Sequence, residues 1–304
     1  NLSAAEVLNR MSSVYIKSYG GGGLASSSFR GGSANHTAVL WNGFNLQSPV
    51  TGMIDLSLLP TGLFNSMSLQ YGGKSATWGS GAIGGALHLQ SKSNLNEGSH
   101  VKLYSGTGSF NEKSMLLSAD YSNVKFANST KLYHSSSLHN FDYISLANEV
   151  QETRKLPNAS ANQNTLMQDN YFKIKQNQLL ETHIWLQENK RDIPPTLFQQ
   201  NNDAFQEDRA MRLTASYHRY YKLWNLNLRS AYFNEELKYK DADFSKLSEN
   251  KSQTFINEIL MNKSIGRNLW ILGANNTYAK SYSIDFSELH PIQNKMALFS
   301  SFQY

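Results

Sequence analysis

From residue 97 onward the chain repeats one grammar: apolar and polar side chains alternate with period two in segment after segment. Met211, Leu213, Ala215 and Tyr217 fall on one face, and Arg212, Thr214, Ser216 and His218 on the other. Trp224, Leu226, Leu228, Ser230 and Tyr232 oppose Asn225, Asn227 and Arg229, and Val124, Phe126, Asn128 and Leu132 oppose Lys125, Ser129 and Lys131. Phe255, Ile259 and Met261, then Met296, Leu298 and Phe302, continue the series, whereas Leu269 to Ala274 is apolar on both faces. The pattern predicts about ten strands, near 99–107, 111–121, 124–134, 168–177, 179–189, 209–220, 224–236, 252–263, 268–280 and 294–304. Most are longer than the ~5–6 residues of an ordinary strand. They match the ~9–11 residues that cross a bilayer at a tilt.

The links between segments alternate in length. Short ones fall at Ser122-Asn123, Gln178, Tyr221 to Leu223 and Ser264 to Arg267, and long ones at 135–167, 190–208, 237–251 and 281–293; 108–110 is the one short link on the long-loop side. Short turns on one rim and long loops on the other characterise an outer-membrane barrel. A soluble sandwich has no reason to keep that asymmetry. Lipid offers no hydrogen-bond partners, so a spanning sheet must close on itself, with apolar residues outward and polar ones inward. Tyr104, Tyr121, Tyr133, Tyr217, Tyr220, Trp224 and Tyr232 are candidates for the aromatic girdle. No apolar run reaches the ~18 residues of a transmembrane helix. Cysteine is absent, which excludes disulfides and thiolate chemistry, and an aromatic content of 12% argues against disorder. The first and last residues both read like domain interior, so the chain is expected to be a piece of a longer one.

Residues 1–96 are rich in Gly and Ser and read as a small α+β unit. Ser3 and Glu6 form a capping box for a short helix in which Val7, Leu8 and Met11 share a face. Strands are predicted at Thr37 to Trp41, Ser66 to Tyr71 and Ala86 to Gln90, with a tight turn at Asn42-Gly43 and a helical turn near Asp55 to Leu59. Ten strands would not enclose a unit of this size, because interior width grows with strand number.

The same residues carry a family resemblance. SAAEVLNRMSSVYI at 3–16, SSFRGG at 27–32, AVLWNGFNLQSP at 38–49 and DLSLLPTGLFNSMSLQYGGKSATWGSGAIGGALHLQSK at 55–92 resemble, in order and spacing, the plug domain of TonB-dependent outer-membrane receptors. Departures are Met67-Ser68-Leu69-Gln70 in place of an acidic strand, Tyr71-Gly72-Gly73 in place of Arg-Gly-Pro, and Asn42-Gly43 in place of Asp-Gly. The resemblance implies an all-β transmembrane barrel, of which about ten of the family's roughly 22 antiparallel strands are present, with an N-terminal α+β plug inside its lumen. It divides the chain into a plug at 1–96 and the first part of the barrel at 97–304. It implies a bacterial outer-membrane location and energy-coupled uptake of a scarce solute, such as a siderophore, haem or cobalamin. A TonB-type periplasmic coupling protein, outer-membrane lipid and a surface lipoprotein are the implied partners. DLSLLP is similar to the segment in cobalamin receptors.

By the same resemblance, Asn42, Phe44, Asn45 and Gln47, and Trp78 in the loop after Ala76, are candidate outward apices for the solute. Phe141, Tyr143, Phe198 and Phe205 in the long loops are candidates to cap it. Arg30, Gly31, Gly79, Gly81, Gly84 and Gly85 are expected to shape the plug, with Asp120 or Glu181 facing Arg30. GSGAIG at 79–84 satisfies G-x-G-x-x-G, but a dinucleotide site needs a helix where Ala86 to Gln90 alternates like a strand. The eight histidines form no His-Glu-x-x-His, although His134 and His139 fall at or near the start of the long loop 135–167, where they could touch a metal chelate. Asp203, Glu207 and Asp208 read as a solvated loop cluster. No Gly-x-Ser-x-Gly elbow is present, so no enzyme chemistry, resident metal or cofactor is expected, and dispersed Lys and Arg argue against nucleic acid. Two other classes stay open: a soluble β-rich carbohydrate- or ligand-binding module, which would fold without detergent, and a plugless passive pore or barrel enzyme, whose flux would survive removal of 1–96.

Overall fold

The structure, a computed structural model, describes all residues except 1, 21, 29–30, 73–80, 146–150, 197–202, 241–246, 289 and 304. Helix α1 (Ala4–Met11) starts with both halves of the capping box: Ser3 N–H donates to the Glu6 carboxylate at 2.7 Å, and Glu6 N–H to Ser3 Oγ at 3.3 Å. Its buried side is Ala4, Ala5 and Leu8. Met11, expected on that side, is 81% exposed because the helix, little more than two turns long, packs through Ala4, Ala5 and Leu8 and its last residues run free. A hairpin of β1 (Tyr15–Ser18) and β2 (Ala25–Ser28) follows. A four-stranded sheet then forms from β3 (Thr37–Trp41), β4 (Phe44–Asn45), β5 (Ser66–Tyr71) and β6 (Gly85–Gln90), in the order β4-β3-β6-β5. Asn42 (φ 47°) and Gly43 (φ 85°) make the left-handed turn between β3 and β4. Strand β6 runs parallel to β3 and starts directly after Gly84, so no helix opens behind the Gly-rich run and the dinucleotide reading fails.

A second sheet starts at Gly98. Ten antiparallel strands follow one another around it: β7 (Gly98–Thr107), β8 (Lys113–Ser122), β9 (Phe126–Ser137), β12 (Ala161–Lys175), β13 (Gln178–Asp192), β14 (Phe205–Tyr220), β15 (Trp224–Lys240), β16 (Leu247–Ile265), β17 (Asn268–Ser283) and β18 (Ile292–Gln303). The connection between β9 and β12 carries its own small hairpin, β10 (Asp142–Ser145) with β11 (Glu152–Lys155), which alternation had not signalled. Strands β12 to β17 span 15 to 19 residues, more than their apolar alternation predicts. Most of the excess lies at the long-loop ends, in stretches such as Ala161 to Asn164 and Lys238 to Lys240, where polar residues occupy both faces and the ladder continues without a hydrophobic signal.

The faces divide as the alternation predicts. Arg212, Thr214 and Ser216 are buried on one side of β14, and Leu132, Leu186, Phe255 and Ile259 are exposed on the other side of their strands. The buried face packs on the N-terminal unit. Leu8, Val39, Trp41, Phe44, Leu63 and Leu89 share one apolar cluster with Leu116, Met167, Trp185, Phe233 and Ile256 from five strands of the sheet. A flat sheet could not reach one small unit from so many strands, so the wall curves around it. Tyr133 belongs to this cluster and is not a girdle residue; it lies on the same face of β9 as Ser129 and Lys131.

Candidate functional site

The wall meets the N-terminal unit through side-chain donors aimed at backbone carbonyls. Nearest the long-loop rim, Arg191 Nη1 lies 2.7 Å from Asp55 Oδ2, with both side chains buried. The other Asp55 oxygen accepts the Ala25 and Ser57 N–H groups, each at 2.9 Å, and the Ser57 hydroxyl at 2.7 Å. Asp55 therefore caps the turn at Leu56–Leu58 and ties it both to β2 and to the wall. One turn lower, Gln163 and Gln187 both donate to the Leu58 carbonyl. Gln187 is itself held by Arg212, whose guanidinium lies over the Trp185 ring at 4.5 Å and pairs with Glu235. In mid-wall, Lys131 Nζ donates to the Leu63 carbonyl at 2.7 Å.

Toward the short-turn rim, Tyr171 O–H donates to the Ser91 carbonyl at 2.7 Å. Arg229 Nη2 donates to the Asn42 carbonyl at 2.6 Å, its guanidinium covers the Phe44 ring at 4.3 Å, and Nη1 pairs with Glu258 at 3.0 Å. Between these polar bands sits a buried aromatic centre. Trp41 stands edge-on to Trp185 and to His183, which is bound to Asp169 at 2.6 Å. Two cavities of about 250 and 240 Å³ flank the 55–58 turn. The first is lined by Gly22, Ser57, Gln163, His139 and Arg191, and the second by Leu46, Val50, Asp55, Asp208 and Arg212. Beyond the strands, burial pulls the His139 imidazole below its ordinary range against the opposing pull of Glu112.

The predicted residues are distributed as follows. Asn42 and Phe44 lie against Arg229, a few residues from the short-turn end of β15, rather than at the long-loop rim; Phe44 is 1% exposed. Asn45 and Gln47 bond to each other, and Gln47 Nε2 reaches the carbonyls of Asn35 and Thr37, both at 3.1 Å. Gly81 abuts that same amide, Gly84 N–H donates to the His36 carbonyl, Gly85 is buried in β6, and Gly31 has φ +78°. Phe141 packs edge-on to Phe110, and Tyr143 pairs with Arg154 in the loop hairpin. Phe205 opens β14 beneath the Lys190 ammonium, on the outer side. These aromatic loop residues are not brought together with Asn42 to Gln47. Arg30, Trp78, Gly79 and Phe198 fall outside the described residues. Asp120 accepts the Ser118 hydroxyl, and Glu181 faces His183 and His218. The acidic group at 203–208 does not stay together. Asp203 is solvated, 69% exposed beside Lys240, Glu207 pairs outward with Lys190, and Asp208 points inward to Gln206. His134 turns away from the loop to bond Asn164 across the outer face. Sequence reasoning missed Asp55, Lys131, Gln163, Gln187, Arg191 and Arg229. The five wall residues had one signal, a long polar side chain at a position whose neighbours two residues away face inward, and Asp55 had its place at the head of a short turn.

Residues 1–86 match the TonB-dependent Receptor Plug Domain family. Over 89 residues the chain is 36% identical to the vitamin B12 transporter BtuB of Vibrio vulnificus (strain YJ016), covering 29% of this chain and 14% of that protein. The ferric yersiniabactin uptake receptor FyuA from Yersinia pestis superposes with a TM-score of 0.74 at 13% identity, over 99% of this chain and 51% of that one. The siderophore receptor PiuA from Acinetobacter baumannii does so with a TM-score of 0.71 at 12% identity, over 99% and 50%. At such identities the likeness is one of fold, and this chain spans about half the length of these solved structures.

Proposed function

We propose that this chain, whose residues 1–86 match the plug domain of TonB-dependent receptors, forms the plug, residues 1–96, and the first part of the barrel, residues 97–304, of an outer-membrane receptor for energy-coupled uptake. The observation that carries the reading is the chemistry of the plug–wall contact. Wall side chains hold plug carbonyls by hydrogen bonds around a small buried aromatic centre. Each such bond is worth only about 0.5–1.5 kcal/mol net from the neutral donors Gln163 and Tyr171, and about 1.5–3 kcal/mol from the charged Lys131 and Arg229, because water can replace either partner. Such a contact holds a plug in place and lets a pull from a TonB-type periplasmic partner rearrange it. The solute then passes between plug and wall with no covalent step.

The solute class is a metal chelate, such as a siderophore or haem, or cobalamin. The identity to a protein named as a vitamin B12 transporter favours cobalamin within that class. Asn45, Gln47 and the loop residues Phe141 and Tyr143 stay with the solute side of this proposal, whereas Asn42 and Phe44 serve the seal against Arg229. Outer-membrane lipid surrounds the wall, and a surface lipoprotein is a further partner of this reading.

The test is fractionation followed by uptake. The full-length receptor is expected in the outer-membrane fraction, running heat-modifiably on a gel, and accumulating labelled cobalamin or ferric siderophore only in energised cells. A polypeptide that stays monomeric in buffer without detergent, or uptake that survives deletion of 1–96 and de-energisation, overturns the proposal.

A further inference from the structure

The outer face of β9, β12 and β13 departs from what lipid demands. Along these strands the outward residues include Phe126 and Leu132, Phe172 and Leu166, and Leu180 and Ile184. Between those apolar pairs lie Asn128 and Thr130, Gln168 and Asn170, and Thr182. Their sequence neighbours Ala127, Ser129, Lys131, Met167, Asp169, Tyr171 and His183 are buried on the plug side, so the polar set points away from it. The strand register sets Asn128 opposite Asn170, Asn170 opposite Thr182, and Thr130 opposite Gln168.

The set forms one ladder. Asn128 Nδ2 donates to Asn170 Oδ1 at 2.7 Å, and Asn170 Nδ2 to Thr182 Oγ1 at 3.3 Å. Thr130 Oγ1 donates to Gln168 Oε1 at 2.6 Å, and Gln168 Nε2 to Asn170 Oδ1 at 3.2 Å. A carboxamide nitrogen carries two protons. Among the described residues the ladder occupies one proton on each of Asn128, Gln168 and Asn170, and leaves the Thr182 hydroxyl proton uncommitted. Acyl chains offer these donors nothing. Directly above, toward the long-loop rim, a recess of about 660 Å³ opens on the same face, lined by Leu132, Leu166, Leu186, Met211, His134 and Arg209.

We propose that this face is a contact surface for a second copy of the same receptor. The proposal rests on the outer-membrane reading above, and that reading also selects the occupant. Two copies inserted the same way share the membrane normal, so a two-fold axis along it sets each patch against the patch at equal depth. A ladder of amides and hydroxyls both donates and accepts, and so complements itself, where a patch of one charge would repel. In hydrocarbon, association is driven by side-chain hydrogen bonds and packing rather than by burial of apolar area. The ladder supplies the first and the recess admits the second.

The 304 residues contain no cysteine, which makes the test direct. Asn170→Cys is introduced into the full-length receptor freed of any other cysteine, and Ile259→Cys, outward on β16 and 52% exposed, is the reference. Outer membranes are treated with a short bis-maleimide. Asn170→Cys is expected to yield a band at twice the receptor mass, several-fold above the Ile259→Cys background, and Asn128→Leu with Thr182→Val in the same chain to abolish it. Equal bands at both sites, no band from receptor that fractionates and runs heat-modifiably as an outer-membrane protein, or a band joined to a different protein overturns the dimer. Absence from the membrane fraction, scored before cross-linking, overturns the outer-membrane reading and the dimer with it.

Discussion

Replacing Arg191 by Ala should loosen the plug at one defined place. Arg191 and Asp55 are 6% and 8% exposed and 2.7 Å apart, so neither charge has water to fall back on. Removing one member of a buried pair strands the other, at a cost of about 3–5 kcal/mol. Gln163 and Gln187 still hold the Leu58 carbonyl, so the change opens the 55–58 turn without freeing the whole unit. At about 1.4 kcal/mol per factor of ten, the open population rises by roughly two to three and a half powers of ten. Hydrogen exchange on the full receptor in detergent reads that population at the Ala25 and Ser57 amides, because both donate to Asp55 Oδ1 and are released when the carboxylate moves. Arg191→Met combined with Asp55→Asn should recover most of the protection, since the amide oxygen still accepts both N–H groups and no charge is left buried. If Arg191→Ala leaves both amides exchanging within a factor of about two of the parent, local opening is not governed by this pair and the reasoning fails.

Other outcomes follow from single contacts. Gly81→Ala drives a methyl into the Gln47 amide and breaks its bonds to the Asn35 and Thr37 carbonyls, for a loss of about 1–3 kcal/mol read as a lower unfolding temperature. Gly43→Ala pays a left-handed backbone at φ +85° and sets a Cβ 2.5 Å from Arg229 Nη2; it should detach Arg229 from Asn42 and speed exchange of the Ser91 amide, which is bound to Asn42 Oδ1. His139, held low by burial, stays neutral in the folded state while the unfolded chain takes up a proton near its ordinary value of about 6.5. Stability is therefore full above that pH and declines as pH falls toward the lower folded value. The slope, measured as unfolding temperature against pH, should flatten in His139→Gln.

What was legible in the sequence was whatever repeats or caps. Period-two alternation located the ten strands of the wall, the Ser3–Glu6 box located α1, and Asn42-Gly43 located the β3–β4 turn. The upper thirds of β12 to β17 were hidden, because a strand that rises into water needs no apolar face, and Ala161 to Asn164 or Lys238 to Lys240 then look like loop. Tyr133 misled for a related reason. An aromatic near a strand end reads as girdle whichever way it points, and its face is fixed only by its register with Ser129 and Lys131. The acidic residues near 203–208 separated because neighbouring residues of a strand face opposite sides of the wall, which no count of charges reveals.

The plug–wall bonds were hidden more deeply. Lys131, Gln163, Gln187, Tyr171 and Arg229 all end on carbonyls, of Leu63, Leu58, Ser91 and Asn42, and a carbonyl belongs to the backbone whatever its side chain is. The sequence can mark the donor and never the acceptor. In the proposed uptake, that same indifference suits a part that shifts. A donor that reads a carbonyl can pass to water or to the next carbonyl along the chain, whereas a side chain keyed to a matching side chain has one place to go. Side chains also meet side chains across the seam, as in the Arg191–Asp55 ion pair, the Arg229–Phe44 contact and the Trp41–Trp185 centre. The ion pair lies beside the two cavities and toward the long loops, and the tryptophans lie in the buried middle. In the proposed uptake, displacement of the plug is therefore expected to be easiest where carbonyls alone are held, and hardest at the ion pair, whose two members line one cavity each.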